Sequence, residues 1–107
     1  MCIFCKIVEG VIPNKTILEN DEFLAFEDIN PQANVHVIVI PKVHVESFAE
    51  VSSDTMKNMT PFIQEVTEKL SLETQGYRLI TNIGKDGGQE VPHLHFHILG
   101  GQSLRGL

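Results

Sequence analysis

Three histidines, His93, His95 and His97, stand at every second position of residues 91–101, with Leu94, Phe96, Ile98 and Leu99 between and after them. This alternation is the pattern of a β-strand with one apolar face. The apolar side packs into a core, and the other side then carries three imidazoles. Two rises of about 3.3 Å put neighbouring rings roughly 6.5–7 Å apart. Imidazole titrates near neutrality, attacks phosphorus or carbonyl centres and binds metals. The plain alternative is a polar strand face in solvent. One metal ion shared by all three is awkward, because the outer pair of an extended strand lies about 13 Å apart. A second group is Cys2-x-x-Cys5, half of a zinc signature. The ion needs two more ligands, for which His44 and His93 are candidates; a pair of free thiols is the alternative.

The elements that must position these groups are legible. Residues 2–9 suggest a short helix ending at Gly10. Residues 16–19 and 22–27 read as paired strands around Asn20-Asp21. Residues 28–34 form a loop that Pro31 keeps irregular. Residues 35–40 are β-branched and nearly all apolar, the clearest central strand, closed by Pro41. Ser52-Ser53-Asp54 is an N-cap cluster, and Met56, Met59, Ile63, Val66 and Leu70 recur at helical spacing. Pro61 inside this run predicts a kink or a break into two helices, and residues 74–76 its end. Residues 77–82 alternate as a fourth strand, and Gly84 to Gly88 form a turn before the histidine strand. The order predicts a single α+β domain over residues 1–107, with an antiparallel sheet of about five strands, one long helix and a short N-terminal helix.

His36 alternates in the central strand, either as part of the histidine site or as a lone core histidine. Asn82 and Gln89 can offer amide donors to an anion, or simply shape the hairpin. The glycine loop lacks P-loop spacing, but its glycines let backbone N–H groups approach an anion closely. The net charge of −6 argues against a nucleic-acid polymer as partner. The chain lacks an apolar run of membrane length and a signal-peptide pattern at residues 1–6, so a cytoplasmic protein is expected.

The run His93-Leu94-His95-Phe96-His97-Ile98-Leu99 resembles the signature of the histidine-triad (HIT) nucleotide-binding superfamily. Ile3-Phe4, Ile12-Pro13, residues 25–33, Val39-Ile40-Pro41-Lys42 and Gly87-Gly88-Gln89 fall in the family's order, so the resemblance spans almost the whole chain. Leu99-Gly100-Gly101 resembles the nucleoside phosphoramidase branch. The resemblance implies a HIT-like fold, a homodimer, and a purine nucleoside phosphoramidate hydrolase that passes through a nucleotidyl-histidine and releases a nucleoside monophosphate. His95 matches the nucleophile. His36, His97, Asn82 and Gln89 match positions around the phosphate and leaving group, with Gly88 beside them. Asp28 matches the carboxylate for the ribose hydroxyls, and Ile3, Phe4, Ile7, Phe26 and Ile29 the slot for the base. The resemblance also implies a structural zinc on Cys2, Cys5, His44 and His93, with no cofactor needed for catalysis. Glu90 departs from the animal members, which have serine there. A carboxylate at that position can bond a departing amine or repel more negative substrates. Pro92 also departs, standing where an aromatic residue is common. Two other readings remain: a dinucleoside polyphosphate hydrolase, and a nucleotide-binding interaction module with vestigial activity.

Overall fold

The computed structural model describes residues 2–106. Helix α1 spans Ile3–Val8, followed by strands β1 (Thr16–Glu19), β2 (Phe23–Glu27) and β3 (Val35–Pro41). Helix α2 (Ser53–Lys69) precedes β4 (Arg78–Ile80) and β5 (Phe96–Gly100). The strands form one antiparallel sheet in the order β1-β2-β3-β5-β4. The α+β class, the five strands and both helices therefore agree with the sequence reading.

Strand alternation gives the sheet two different apolar faces. On one, Phe23, Ala25, Val37, Val39, Phe96 and Ile98 meet Met59, Phe62, Ile63 and Val66 of α2. On the other, Leu24, Phe26, Ile38 and Ile40 pack beneath Phe4 of α1. In β3, His36 belongs to this second face, two residues before Ile38. Because β5 is the neighbour of β3, with His97 opposite Ile38, His36 and His97 share that face.

Three local expectations need correction. Helix α2 runs through Pro61 as one element, which removes the break into two helices from the two outcomes expected there. The proline lies on the exposed face, where water can solvate the carbonyl it leaves unpaired, while Met59, Phe62 and Ile63 keep the buried stripe continuous. The helix ends at Lys69, well before Gly76. Ser71 adopts a φ of 58° there, and the Ser71 and Leu72 N–H groups donate to the Glu68 and Thr67 carbonyls. That is a Schellman stop made with serine in the place usually taken by glycine. At the other end, Ser52 caps as expected, its side chain accepting from the Thr55 N–H.

The third correction concerns the histidine strand. Regular pairing begins only at Phe96, so His93 and His95 sit in the lead-in. The pairing stops where β3 reaches Pro41, which has no N–H to give. Its carbonyl is bonded to the His93 ring at 2.8 Å. The His93 and Leu94 N–H groups turn instead to the Val91 and Val45 carbonyls. Alternation of faces survives the loss of the ladder: Leu94, Phe96 and Ile98 are all in the α2 core.

Candidate active site and metal centre

A cleft of about 420 Å³ opens on the α1 side of the sheet, within the usual size of a small-molecule site. His95 and His97 form part of its wall. Their ring centroids are 5.0 Å apart at 75°, closer than the strand repeat predicts because the rings lean together edge to face. Of the anticipated slot residues, Ile3, Phe4, Ile7, Phe26 and Ile29 all line the cleft, with Asp28, Asn82, Gly88 and Glu90. The sequence reading missed Ile12, Pro13, Asn14, Glu27, Ile38 and Val91. Ile38 was findable, since it shares its strand face with His36. The cleft is lined by three carboxylates, Glu27, Asp28 and Glu90; among the described residues the nearest cationic lining is Lys15, in the recess that adjoins it at Glu27 and Asp28.

His95 is 6% exposed, and its Nδ1 donates to the His93 carbonyl at 2.7 Å. That bond fixes the tautomer: Nδ1 carries the hydrogen and Nε2 keeps its lone pair. Every fully buried side-chain nitrogen and oxygen among the described residues has a partner. Nε2 of His95 has none, so it is open to the cleft. The Phe4 ring meets His95 edge to face at 5.1 Å and Phe26 at 5.8 Å.

Behind His95 a second chain of bonds sets His97. The Gln32 N–H donates to His36 Nδ1 at 3.0 Å. The proton of neutral His36 is therefore on Nε2, which lies 2.8 Å from His97 Nδ1 and 3.3 Å from Asp28 Oδ2. It follows that His97 accepts at Nδ1 and holds its own proton on Nε2. Burial, with the neighbouring His95 and His36, pushes His97 down to about 4, against the pull of Asp28. Burial lowers His36 as well, again opposed by Asp28. His97 thus remains neutral at pH 7 and still offers a hydrogen-bond donor.

The loop at residues 84–91 departs from one expectation. The Gln89 side chain does not line the cleft. Its Nε2 donates to the Glu46 and Val91 carbonyls at 2.7 and 3.0 Å, and its Oε1 accepts from the Gly84 N–H at 2.9 Å. A side chain that holds its own loop this fully has no donor left for an anion. Asn82 is half committed, donating to the Gly87 carbonyl at 2.8 Å. Gly88 lines the cleft with a φ of 79°.

His93 faces away from the cleft, into a cluster with Cys2, Cys5 and His44 whose ligand atoms all lie within 4.8 Å of one another. Nδ1 of His93 is 3.1 Å from the Cys2 sulfur and 3.5 Å from that of Cys5, which is 3.4 Å from His44 Nδ1. Zinc bonds of about 2.3 Å to sulfur and 2.05 Å to nitrogen, at a tetrahedral angle, separate the two ligand atoms by roughly 3.5 Å. The spacing therefore fits. The tautomer fits too: the His93 Nε2–H donates to the Pro41 carbonyl, the outer partner a metal-bound imidazole ordinarily has, and turns the Nδ1 lone pair to the sulfurs. Burial and the adjacent Cys2 push the Cys5 thiol up to about 11. A divalent cation reverses that tendency, because it stabilises thiolates. On a tetrahedral ion, two sulfurs and two nitrogens would fill every position and leave none for a reacting water.

A family model described as the HIT domain matches residues 9–104. A HIT-like protein of Helicobacter pylori is 54% identical over 101 residues, covering 94% of this chain and 97% of that protein. The solved structure of a HIT family hydrolase from Clostridium thermocellum is 38% identical with a TM-score of 0.93, covering 99% of this chain and 95% of that one. A histidine triad nucleotide-binding protein from Candida albicans is 31% identical with a TM-score of 0.86, covering 100% of this chain and 85% of that one. The fold thus coincides over nearly the whole chain with a known architecture, and the chain belongs to the HIT domain family.

Proposed function

We propose that this protein hydrolyses purine nucleoside phosphoramidates through a nucleotidyl-His95 intermediate. The observation that carries the reading is the locked tautomer of His95, whose free Nε2 opens into a cleft with an apolar slot. The related structures described as a hydrolase and as a nucleotide-binding protein support it. The base lies between Phe4, Ile7, Phe26 and Ile29. Asp28 accepts from the ribose hydroxyls; a carboxylate has about four acceptor sites, of which the Asn30 N–H takes one. Nε2 of His95 attacks the α-phosphorus, the P–N bond breaks, and the leaving nitrogen takes a proton from water in the open cleft and departs as the neutral amine, with His97 contributing a hydrogen bond rather than the proton. Water then cleaves the phosphorus–imidazole bond and releases the nucleoside monophosphate. Splitting the displacement lowers each barrier. His97 donates its Nε2–H to the phosphate or the leaving nitrogen, and His36 holds it in that tautomer. His93 acts only through its carbonyl, and Gln89 through the shape of its loop.

Glu90 in the cleft wall, at the position that the family resemblance sets near the leaving group, favours this reading over a dinucleoside polyphosphate hydrolase, since added phosphates there meet like charge. The site needs no cofactor for this chemistry. When bound to Cys2, Cys5, His44 and His93, a zinc ion supplies rigidity. A homodimer is supported by the free edge of β4, where Tyr77, Leu79 and Ile83 are exposed. No helix among the described residues is long and apolar enough to cross a membrane.

The test is steady-state hydrolysis of a fluorogenic adenosine phosphoramidate by wild type and His95→Ala, with diadenosine polyphosphates in parallel. Turnover lost in the variant is expected. Nucleotide binding without turnover in the wild type sinks the proposal in favour of a binding module. Preference for polyphosphates moves the protein to the other hydrolase class.

A further inference from the structure

Two parts of the cleft lead back to the same four-residue cluster. Helix α1 contributes Ile3, Phe4 and Ile7 to the apolar slot. It has six residues, far below the roughly 12–15 at which an isolated helix becomes even marginal. Something outside the helix must hold it. Cys2 caps it, accepting from the Cys5 N–H at 3.3 Å, and both cysteines belong to the cluster. The other part is His95. Its tautomer and aim rest on the carbonyl of His93, and the ring of His93 is the cluster's buried member, with 0% exposure. Without a metal, the polar links from the α1 segment to His93 are thiol contacts, and a thiol is a weak donor; beside them stands only the edge contact of Phe4.

We propose that the Cys2–Cys5–His44–His93 centre, when it holds a divalent metal ion, is a positioning centre for the cleft. Its cysteines fix the wall of the slot, and its His93 fixes the direction of the His95 ring. One ion thereby sets two distances at once, slot to sheet and nucleophile to slot. The edge contacts of Phe4 with both His93 and His95 tie the halves together. Cys2, Cys5 and His93 are thus positioning residues, acting on the substrate only through α1 and His95. The assignment of the slot to a nucleotide rests on the function proposed above; the mechanical coupling does not.

The experiment compares zinc-loaded protein, the same protein stripped by a chelator, and the stripped protein after zinc is restored. His44→Ala, altered at the exposed ligand that lines no part of the cleft, gives a second route to the metal-poor state. Two readouts need no nucleotide: amide hydrogen exchange along the chain, and the ring-nitrogen chemical shifts of His95 by NMR. Loss of zinc is expected to speed exchange in α1 at least ~10-fold and to turn the single His95 tautomer into a mixture, leaving α2 unchanged. Restored zinc is expected to reverse both. Unchanged exchange and shifts in the stripped protein overturn the proposal. So does failure to bind zinc, and so does exchange that rises equally in α2, which marks the ion as a general fold support. Adenosine monophosphate binding is measured alongside and is expected to weaken at least ~10-fold without zinc. Loaded protein that shows no nucleotide binding refutes the functional reading, while the first two readouts still decide the coupling.

Discussion

The depressed His97 ties the cleft to the acid sensitivity of the whole protein. An unfolded chain protonates this imidazole near 6.5, whereas the folded protein holds it neutral down to about 4. Between those values the unfolded state binds more protons, so stability falls as the pH drops from about 6.5 to about 4 and levels off below. At about 1.36 kcal/mol per pH unit, the ceiling is about 3.4 kcal/mol. Solvent reaches the ring through the cleft and screens it, leaving about 1–2 kcal/mol. His97→Gln keeps a polar group beside His36 and removes the titration. Urea unfolding at about pH 7 and about pH 4.5 gives the comparison, because the carboxylates and the other histidines titrate in both proteins. The wild type is expected to lose about 1–2 kcal/mol more than the variant on acidification. Equal losses refute the argument that burial at the cleft wall keeps His97 neutral.

Other substitutions test separate parts of the structure. Phe4→Ala removes the ring that touches His93, His95 and Phe26; it should cost about 3 kcal/mol in thermal denaturation and weaken adenosine monophosphate at least ~10-fold by calorimetric titration. Gly87→Ala places a methyl 2.3 Å from the Ile83 carbonyl oxygen and 2.9 Å from its nitrogen, so the backbone must move. A loss of about 1–3 kcal/mol and a lower kcat/KM are expected, measured by unfolding and phosphoramidate turnover. Pro61→Ala restores a helical hydrogen bond on the exposed face of α2 and should stabilise by about 1–3 kcal/mol in urea, with turnover unchanged.

Much of this structure was legible because periodicity survives compaction. The central strand, the buried stripe of α2 and the Ser52 cap follow from residue types alone. The alternation of Leu94, Phe96 and Ile98 found their common face even where the ladder was missing. What failed depended on partners distant in sequence. Pro41 ends the pairing opposite the histidine segment, and nothing local to residues 91–95 announces it. The role of Gln89 hinges on the Glu46 carbonyl, 43 residues away. Pro61 shows the reverse case, a strong local breaker overridden by burial of its neighbours. The metal cluster was visible as Cys2-x-x-Cys5 with His44 and His93 as candidates for the other two ligands, but those histidines come from separate segments, and the family resemblance is what turned the candidates into a ligand set.

The sheet keeps its two apolar faces energetically apart. Met59 and Val66 pack on one side, Phe4, Phe26 and Ile38 on the other, with the backbone of β2, β3 and β5 between them. Side chains separated by a sheet share no contacts, so their substitution energies should add. A lineage can then gain stability by repacking against α2 and spend the surplus on changes to the slot, without either set of mutations constraining the other. Ligand preference in such a protein is free to drift while the scaffold stays the same.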